Sequence, residues 1–233
     1  MPKNLDRLHS GEEFIRGKSA ERLRDARLGL HLEVVEHAMN MADGLRQFQT
    51  VDDDLRLIQV LGIRTFNAFG AATKLCLSGY YQNAALILRD VLETVFLLDL
   101  FQSERALIAR WRLADKAARL KEFSPVKVRT KLDERDGFTG RRRAALYDLF
   151  SELAGHATMP SIAMLRPQGM DVQIGPFLDP SALEAVLSEM GRLAVQVGEQ
   201  IDAFWQSFGD QGRSVRVHFA EAKRRWLEKF YSL

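Results

Sequence analysis

The stretch YYQNAALILRDVLETVFLLDLF, residues 80–101, decides the fold class of this chain. If it is wound at 3.6 residues per turn, about two thirds of its circumference is Ala, Leu, Ile, Val and Phe, and one stripe is polar. Gln82, Arg89 and Glu93 lie on that stripe. A membrane span needs ~20 predominantly apolar residues, whereas charged residues interrupt this run. The stretch therefore predicts a central, largely buried helix, and no membrane span is expected.

Helical periodicity extends over most of the remaining chain. It predicts further helices at residues 20–49, 52–78, 103–123, a short one ending near 154, 179–208 and 215–230. Pro and Gly cluster between residues 160 and 176, and residues 170–174 alternate in polarity, which predicts a small β-hairpin. The expected fold is an all-α, multi-helix bundle of about six helices, with a β-hairpin insertion near residues 160–176.

The ends of the chain and its single cysteine suggest how it is organised. Residues 1–19 are polar and predict a flexible N-terminal lead-in, followed by one helical domain over residues 20–233. The N-terminus has no apolar core, so no secretory signal is expected. Cys76 is the only cysteine. It cannot form an internal disulfide, which favours a reducing compartment and a cytoplasmic location.

The net charge of +2 hides a strong asymmetry, because residues 105–143 hold 13 Lys/Arg against 5 Asp/Glu. Aligned cations provide nonspecific affinity for nucleic acid, although stacking aromatic residues are sparse in this region. The segment could equally be a solvated face, or pair with an acidic surface of the same protein or of a second subunit. The candidate nucleic-acid-binding residues are Arg105, Arg112, Lys116, Arg119, Arg141, Arg142 and Arg143.

Three residues are candidates for catalysis or ligand binding. Arg89 and Glu93 lie one turn apart on a helix predicted to be buried, where an unpaired charge is costly. They form either a structural ion pair or part of a pocket for an anionic ligand. His156 follows Ala154-Gly155 and could act as a general acid or base, or could be a structural histidine at a helix end.

The chain has no pattern typical of a metal or cofactor site. Around His31, only Glu33 and His37 share a helix face cleanly, and a metal site generally needs three or four ligands. The motifs HExxH, CxxC, GxxxxGK[ST] and GxGxxG are all missing from the sequence. We therefore expect neither a metal nor a cofactor.

Two segments together resemble a known family. They are GYYQNAALILRDVLE at residues 79–93 and LYDLFSELAGHATMPS at residues 146–161. Their order is similar, over about residues 60–205, to uncharacterised bacterial helical proteins (a domain-of-unknown-function family) that are akin to the HEPN helical bundles. The resemblance implies a helical bundle that often dimerises and functions in toxicity, defence or RNA cleavage.

The chain departs from the RNA-cleaving members in one respect. Those members carry an arginine, four to six intervening residues and a histidine, but residues 149–151, which precede His156 at that spacing, are Leu-Phe-Ser. The pairs Arg24…His31 and Arg213…His218 have the spacing, yet about as many pairs are expected by chance. They also lie outside the two segments that carry the resemblance.

The resemblance and the residues together favour a HEPN-like helical binding module. We expect a homo-oligomer, most plausibly a homodimer, with RNA or a partner protein as ligand in defence or stress response. One alternative is a metal-independent ribonuclease that uses His156 together with Arg89 or with an arginine of the basic segment. The other alternative is a structural assembly subunit.

Overall fold

The computed structural model of the protein describes residues 2–205 and 211–231. Within these residues the chain forms eleven α-helices, one π-helical turn and no β-strand, which confirms the all-α class. The α-helices are α1 Lys3–Arg22, α2 Ala26–Arg46, α3 Asp53–Leu77, α4 Tyr81–Ser103, α5 Ala106–Leu113, α6 Lys116–Phe123, α7 Pro125–Arg135, α8 Arg142–Phe150, α9 Met159–Ala163, α10 Pro180–Trp205 and α11 Arg213–Tyr231. The π-helical turn spans Ser151–Gly155.

Helix α4 lies at the centre of the bundle, as its sequence predicts. It packs against α3 and α10 and also contacts α5, α7, α8 and the π-helical turn. Its apolar side chains, including Leu88, Leu92 and Leu98, are fully buried. Each such side chain stabilises the fold by about 1.5–3 kcal/mol relative to its exposed state. Helix α4 can therefore hold polar residues such as Arg89 and Glu93 in a fixed position.

Two helix starts follow the capping chemistry of the sequence. The Asp52 carboxylate accepts hydrogen bonds from the backbone N–H groups of Asp54 and Leu55 at the start of α3. Asp179 accepts from Ser181 and Ala182 at the start of α10, with Pro180 as the first helical residue. Both arrangements satisfy N–H groups that have no partner within the helix. The predicted end of α10 near residue 208 lies outside the described residues.

The bundle has eleven α-helices in the described residues, more than the six or so predicted, because two expected helices are broken and because α1, α7 and α9 form where no helix was expected. The expected helix over residues 103–123 is divided into α5 and α6. Ala114 is extended, and the Asp115 carboxylate caps α6 through the N–H of Ala118. Asp25 caps α2 in the same way, which separates α2 from α1. Asp competes for backbone N–H groups and so favours a new helix start over helix continuation.

The predicted flexible lead-in over residues 1–19 is mostly helical. It forms the main part of α1, which contacts α3 and buries Ile15 and Ser19. The Tyr80 hydroxyl donates a hydrogen bond to the Glu12 carboxylate over 2.9 Å. The segment is too polar for its periodicity to be visible in the sequence, so only its contacts with the bundle reveal the helix.

The predicted β-hairpin near residues 160–176 is wrong. The segment begins with the short helix α9, whose start is fixed by reciprocal hydrogen bonds between Thr158 and Ser161. One backbone hydrogen bond, from Gln173 N–H to the Leu165 carbonyl at 2.9 Å, joins the expected strands. The Asp179 carboxylate also holds the N–H of Gln168. Side-chain bonds therefore organise the loop where a strand ladder was expected.

None of the helices in the described residues is both long and apolar enough to cross a lipid bilayer.

Candidate functional site

Helices α4 and α8 bring three polar side chains together at one edge of the bundle. The Arg89 Nη2 atom lies 3.6 Å from Glu93 Oε1 and donates a hydrogen bond to the Tyr147 hydroxyl. The Arg89 guanidinium carbon is 4.6 Å from the centroid of the Tyr147 ring. The side chains of Arg89 and Glu93 are 22% and 32% exposed, so both are partly accessible from solvent. The polar stripe of α4 therefore carries a partly accessible ion pair.

A second arginine, Arg129 on α7, joins this cluster. It is only 6% exposed, and its guanidinium carbon lies 3.8 Å from the centroid of the Tyr147 ring. Its Nε and Nη1 atoms are buried and have no hydrogen-bond partner among the described residues, and the same is true of Arg89 Nε. Asp133, one turn further along α7, pairs with Arg143 instead. We call Arg89, Glu93, Arg129 and Tyr147 the arginine cluster.

The arginine cluster holds more positive charge than it neutralises. Cation–π contact with a tyrosine ring is favourable but modest, and a buried guanidinium nitrogen without an acceptor carries a desolvation cost. Glu93 is the one carboxylate within ion-pairing distance of either arginine in the described part of the chain. The cluster is therefore suited to an anion that presents several oxygen acceptors.

The π-helical turn Ser151–Gly155 determines how closely the backbone approaches Arg89. A Cβ atom at Gly155 would lie 2.7 Å from Arg89 Nη1, closer than real Cβ contacts allow. Single π-helical turns inside helical segments occur frequently at functional sites. A side chain at position 155 would therefore displace the end of the Arg89 side chain from its present position.

His156 directly follows this turn. Its backbone N–H donates to the Ser151 carbonyl at 3.1 Å, and its side chain is exposed. Within the described residues the imidazole makes no hydrogen bond or ion pair. The structure thus brings Arg89 and Glu93 together. It places His156 directly after Gly155, which packs against Arg89.

Three of the predicted nucleic-acid-binding residues are engaged within the protein. Arg112 pairs with Asp53 at 3.4 Å and Asp54 at 3.0 Å, so part of the basic segment neutralises the acidic first turn of α3. Arg105 donates to the Ala203 carbonyl and lies over the Phe204 ring. Burial lowers its pKa from the ordinary arginine value.

Arg143 is likewise taken up by an internal ion-pair network. It is 14% exposed and lies within ion-pairing distance of Asp99, Asp133 and Asp136. Hydrogen bonds from Arg135, and then from Arg143, lower the pKa of Asp136 to about 2. These carboxylates hold Arg143 in place, so it is less accessible to an external anion.

The other four predicted residues are exposed. Lys116 has no hydrogen-bond or ion-pair partner in the described residues. Arg119 donates to the Ala114 carbonyl and lies over Trp111, and Arg142 lies over Phe138. Arg141 has a left-handed backbone, with φ 48°. These side chains are accessible to an anionic partner.

The remaining histidines do not build a metal site. His31 is buried, and its Nδ1 atom accepts a hydrogen bond from Trp226 Nε1 at 2.9 Å. Glu33 pairs with Arg225, and the rings of His37 and His218 lie 6.0 Å apart. No group of three or more His, Cys, Asp or Glu residues in the described ranges could hold a metal ion.

Comparison of the chain with protein-family models, with curated proteins and with solved structures finds no match. The resemblance to the HEPN bundles therefore stays a prediction.

Proposed function

We propose that this protein is a HEPN-like helical module that binds RNA, with a backbone phosphate held at the arginine cluster. The observation that supports this proposal is the pair of arginines, Arg89 and Arg129, beside a single carboxylate, Glu93, with Arg89 22% exposed to solvent. Guanidinium groups match phosphate oxygens in charge and in hydrogen-bond geometry. A phosphate bound at the partly exposed Arg89 would balance the positive charge that the single carboxylate of Glu93 leaves.

Each member of the cluster has a distinct part in this binding. Arg89 is the more exposed arginine and contacts the phosphate directly, while its bond to the Tyr147 hydroxyl orients it. Arg129 lies deeper and adds positive charge behind Tyr147. The exposed residues Lys116 and Arg142 would attract neighbouring phosphates of the same RNA strand. A defence or stress role and a homodimer are proposed from the resemblance alone.

The proposal is tested by fluorescence anisotropy with a labelled single-stranded RNA. Replacing Arg89 or Arg129 with Met keeps most of the side-chain volume and removes the charge. We expect either variant to bind at least ~10-fold more weakly and to show a shallower dependence on salt. The control is Arg224→Met, because Arg224 is an exposed arginine paired with Glu228 on α11. Unchanged affinity in both cluster variants would contradict the proposal.

One observation favours a ribonuclease as the second candidate. Gly155 packs against Arg89, and the exposed His156 follows it directly. In this mechanism the imidazole takes the proton of the ribose 2′-hydroxyl, and the 2′-oxygen attacks the adjacent phosphorus. The bond from phosphorus to the 5′-oxygen breaks, and that oxygen takes a proton from water. Arg89 stabilises the negative charge that develops on the non-bridging oxygens. Incubation of total RNA with a chelator should then give cleavage that His156→Ala abolishes. Intact RNA with the unaltered protein would exclude this activity for that substrate.

A structural assembly subunit is the remaining alternative. It predicts that neither RNA binding nor RNA cleavage depends on the arginine cluster or on His156. The two experiments above therefore separate all three hypotheses.

A further inference from the structure

A cavity of about 360 Å³ opens beside the arginine cluster, between α3, α4, α5, α6 and α7. Phe96, Trp111 and Phe123 contribute aromatic surface to its walls. Arg64, Asp90 and Glu93 lie on its polar side. A small cavity with aromatic walls and a few polar groups has the character of a site for a planar organic group.

The two carboxylates on the polar side of this cavity differ in their partners. Asp90 is paired with Arg64 across the α3–α4 interface. Glu93 makes no hydrogen bond in the described residues, and its one ion-pair partner there, Arg89, lies 3.6 Å away. The Glu93 carboxylate can therefore accept hydrogen bonds from a bound group.

The cavity and the arginine cluster form a continuous surface along α4. Asp90 and Glu93 also line a neighbouring groove of about 430 Å³, to which Arg89 contributes. Arg89 Nη2 and Glu93 Oε1 lie only 3.6 Å apart. Glu93 in turn lines the cavity. A phosphate at Arg89 would thus place the attached base at the mouth of the cavity.

We propose that this cavity binds one base of single-stranded RNA, with Glu93 as the acceptor that selects guanine. This inference rests on the proposed RNA binding. Guanine offers adjacent N1–H and 2-amino donors to the two oxygens of a carboxylate. Uracil offers one N–H between two carbonyl oxygens, and a carboxylate repels these two oxygens. Stacking on Trp111 or its aromatic neighbours is independent of base identity, so Glu93 supplies the preference for guanine over uracil.

Trp111 provides a direct optical signal for this site. The chain has three tryptophans, and the other two, Trp205 and Trp226, are 0% and 2% exposed. Trp111 is partly exposed and lines the cavity. We expect an RNA decamer of alternating U and G to quench tryptophan fluorescence, and we expect this quenching to be lost in Trp111→Phe.

The decisive experiment compares the affinity of that decamer with the affinity of a U-only decamer. The unaltered protein should bind the G-containing RNA roughly 10-fold more tightly. Glu93→Gln, which keeps the shape of a partly exposed side chain, should reduce this ratio to nearly one. The matched control is Glu199→Gln, because Glu199 pairs with Lys223 at a distance from the cavity. Circular dichroism checks that each variant is folded.

The possible outcomes separate this inference from the proposed function. If both RNAs bind equally and binding still depends on Arg89, the base site is refuted and the phosphate site stands. If a preference for guanine persists in Glu93→Gln, Glu93 is not its source and the inference fails. If neither RNA binds, both the inference and the proposed function fall.

Discussion

The buried imidazole of His31 makes the stability of this protein dependent on pH. His31 is 1% exposed, accepts a hydrogen bond from Trp226 Nε1 and stacks on Phe230 with ring centroids 4.3 Å apart. Burial, together with the charges of Arg27 and Arg192, lowers the pKa of His31 to about 4. A protonated ring would also lose the lone pair that accepts the Trp226 N–H.

Acidification is the perturbation that exposes this effect. In the unfolded chain His31 has a pKa near 6.5, so between about pH 6.5 and pH 4 the unfolded state binds the proton and the folded state does not. The neutral His31 ring contributes its full share of the folding free energy above about pH 6.5. This contribution is lost as the pH falls towards the folded-state pKa of about 4. The shift from 6.5 to about 4 predicts a loss of ~2 kcal/mol between about pH 7.5 and pH 5. That loss is a large fraction of a typical folding free energy of about 5–15 kcal/mol.

The assay is urea unfolding followed by circular dichroism, for the unaltered protein and for His31→Gln. Glutamine keeps an acceptor for the Trp226 N–H but does not titrate, so the contributions of the other four histidines cancel in the difference. The unaltered protein should lose ~2 kcal/mol more than the variant over this pH interval. Equal losses in the two proteins would refute the assignment of this effect to His31.

Two further predictions concern glycines at close contacts. Gly155→Ala places a Cβ 2.7 Å from Arg89 Nη1 and should weaken RNA binding at least ~5-fold in the anisotropy assay. Gly17→Ala on α1, with no atom within 4 Å of its Cβ, should leave binding unchanged. Gly198→Ala places a Cβ 2.0 Å from the Phe219 ring and should cost about 1–3 kcal/mol in urea unfolding. The control is Gly70→Ala, which has open space for the new methyl group in α3 and should stabilise the protein by ~0.5–1 kcal/mol. If Gly198→Ala also stabilised the protein, the close packing of Phe219 on α10 would be contradicted.

Local chemistry in the sequence was sufficient for the fold class and for several helix starts. The apolar circumference of α4 requires burial on nearly all sides, and Asp52 and Asp179 satisfy the first N–H groups of their own helices. These interactions span a few residues, so their pattern is visible without the fold. The same local reasoning failed where polar composition concealed α1, and where Thr158 and Asp179 organise the loop that alternation suggested was a hairpin.

The candidate site divides in the same way. Arg89 and Glu93 are one turn apart on a single helix, so the sequence alone predicts that they meet. Arg129 and Tyr147 reach them from α7 and α8, and the local sequence around Arg129 does not distinguish it from other arginines of the basic segment. Only the packing of three helices shows that Arg129 is buried without an acceptor.

The basic segment shows the same division for charge. The sequence determines that residues 105–143 carry a local excess of cations. Only the tertiary structure decides that Arg112 meets the acidic first turn of α3 and that Arg143 is enclosed by three carboxylates. Arg142 and Lys116 remain exposed. Composition sets the amount of charge in the segment. Whether a charge is accessible depends on contacts between residues that are distant in the chain. The physical reason is that a charge attracts a partner only where the fold has not already neutralised it.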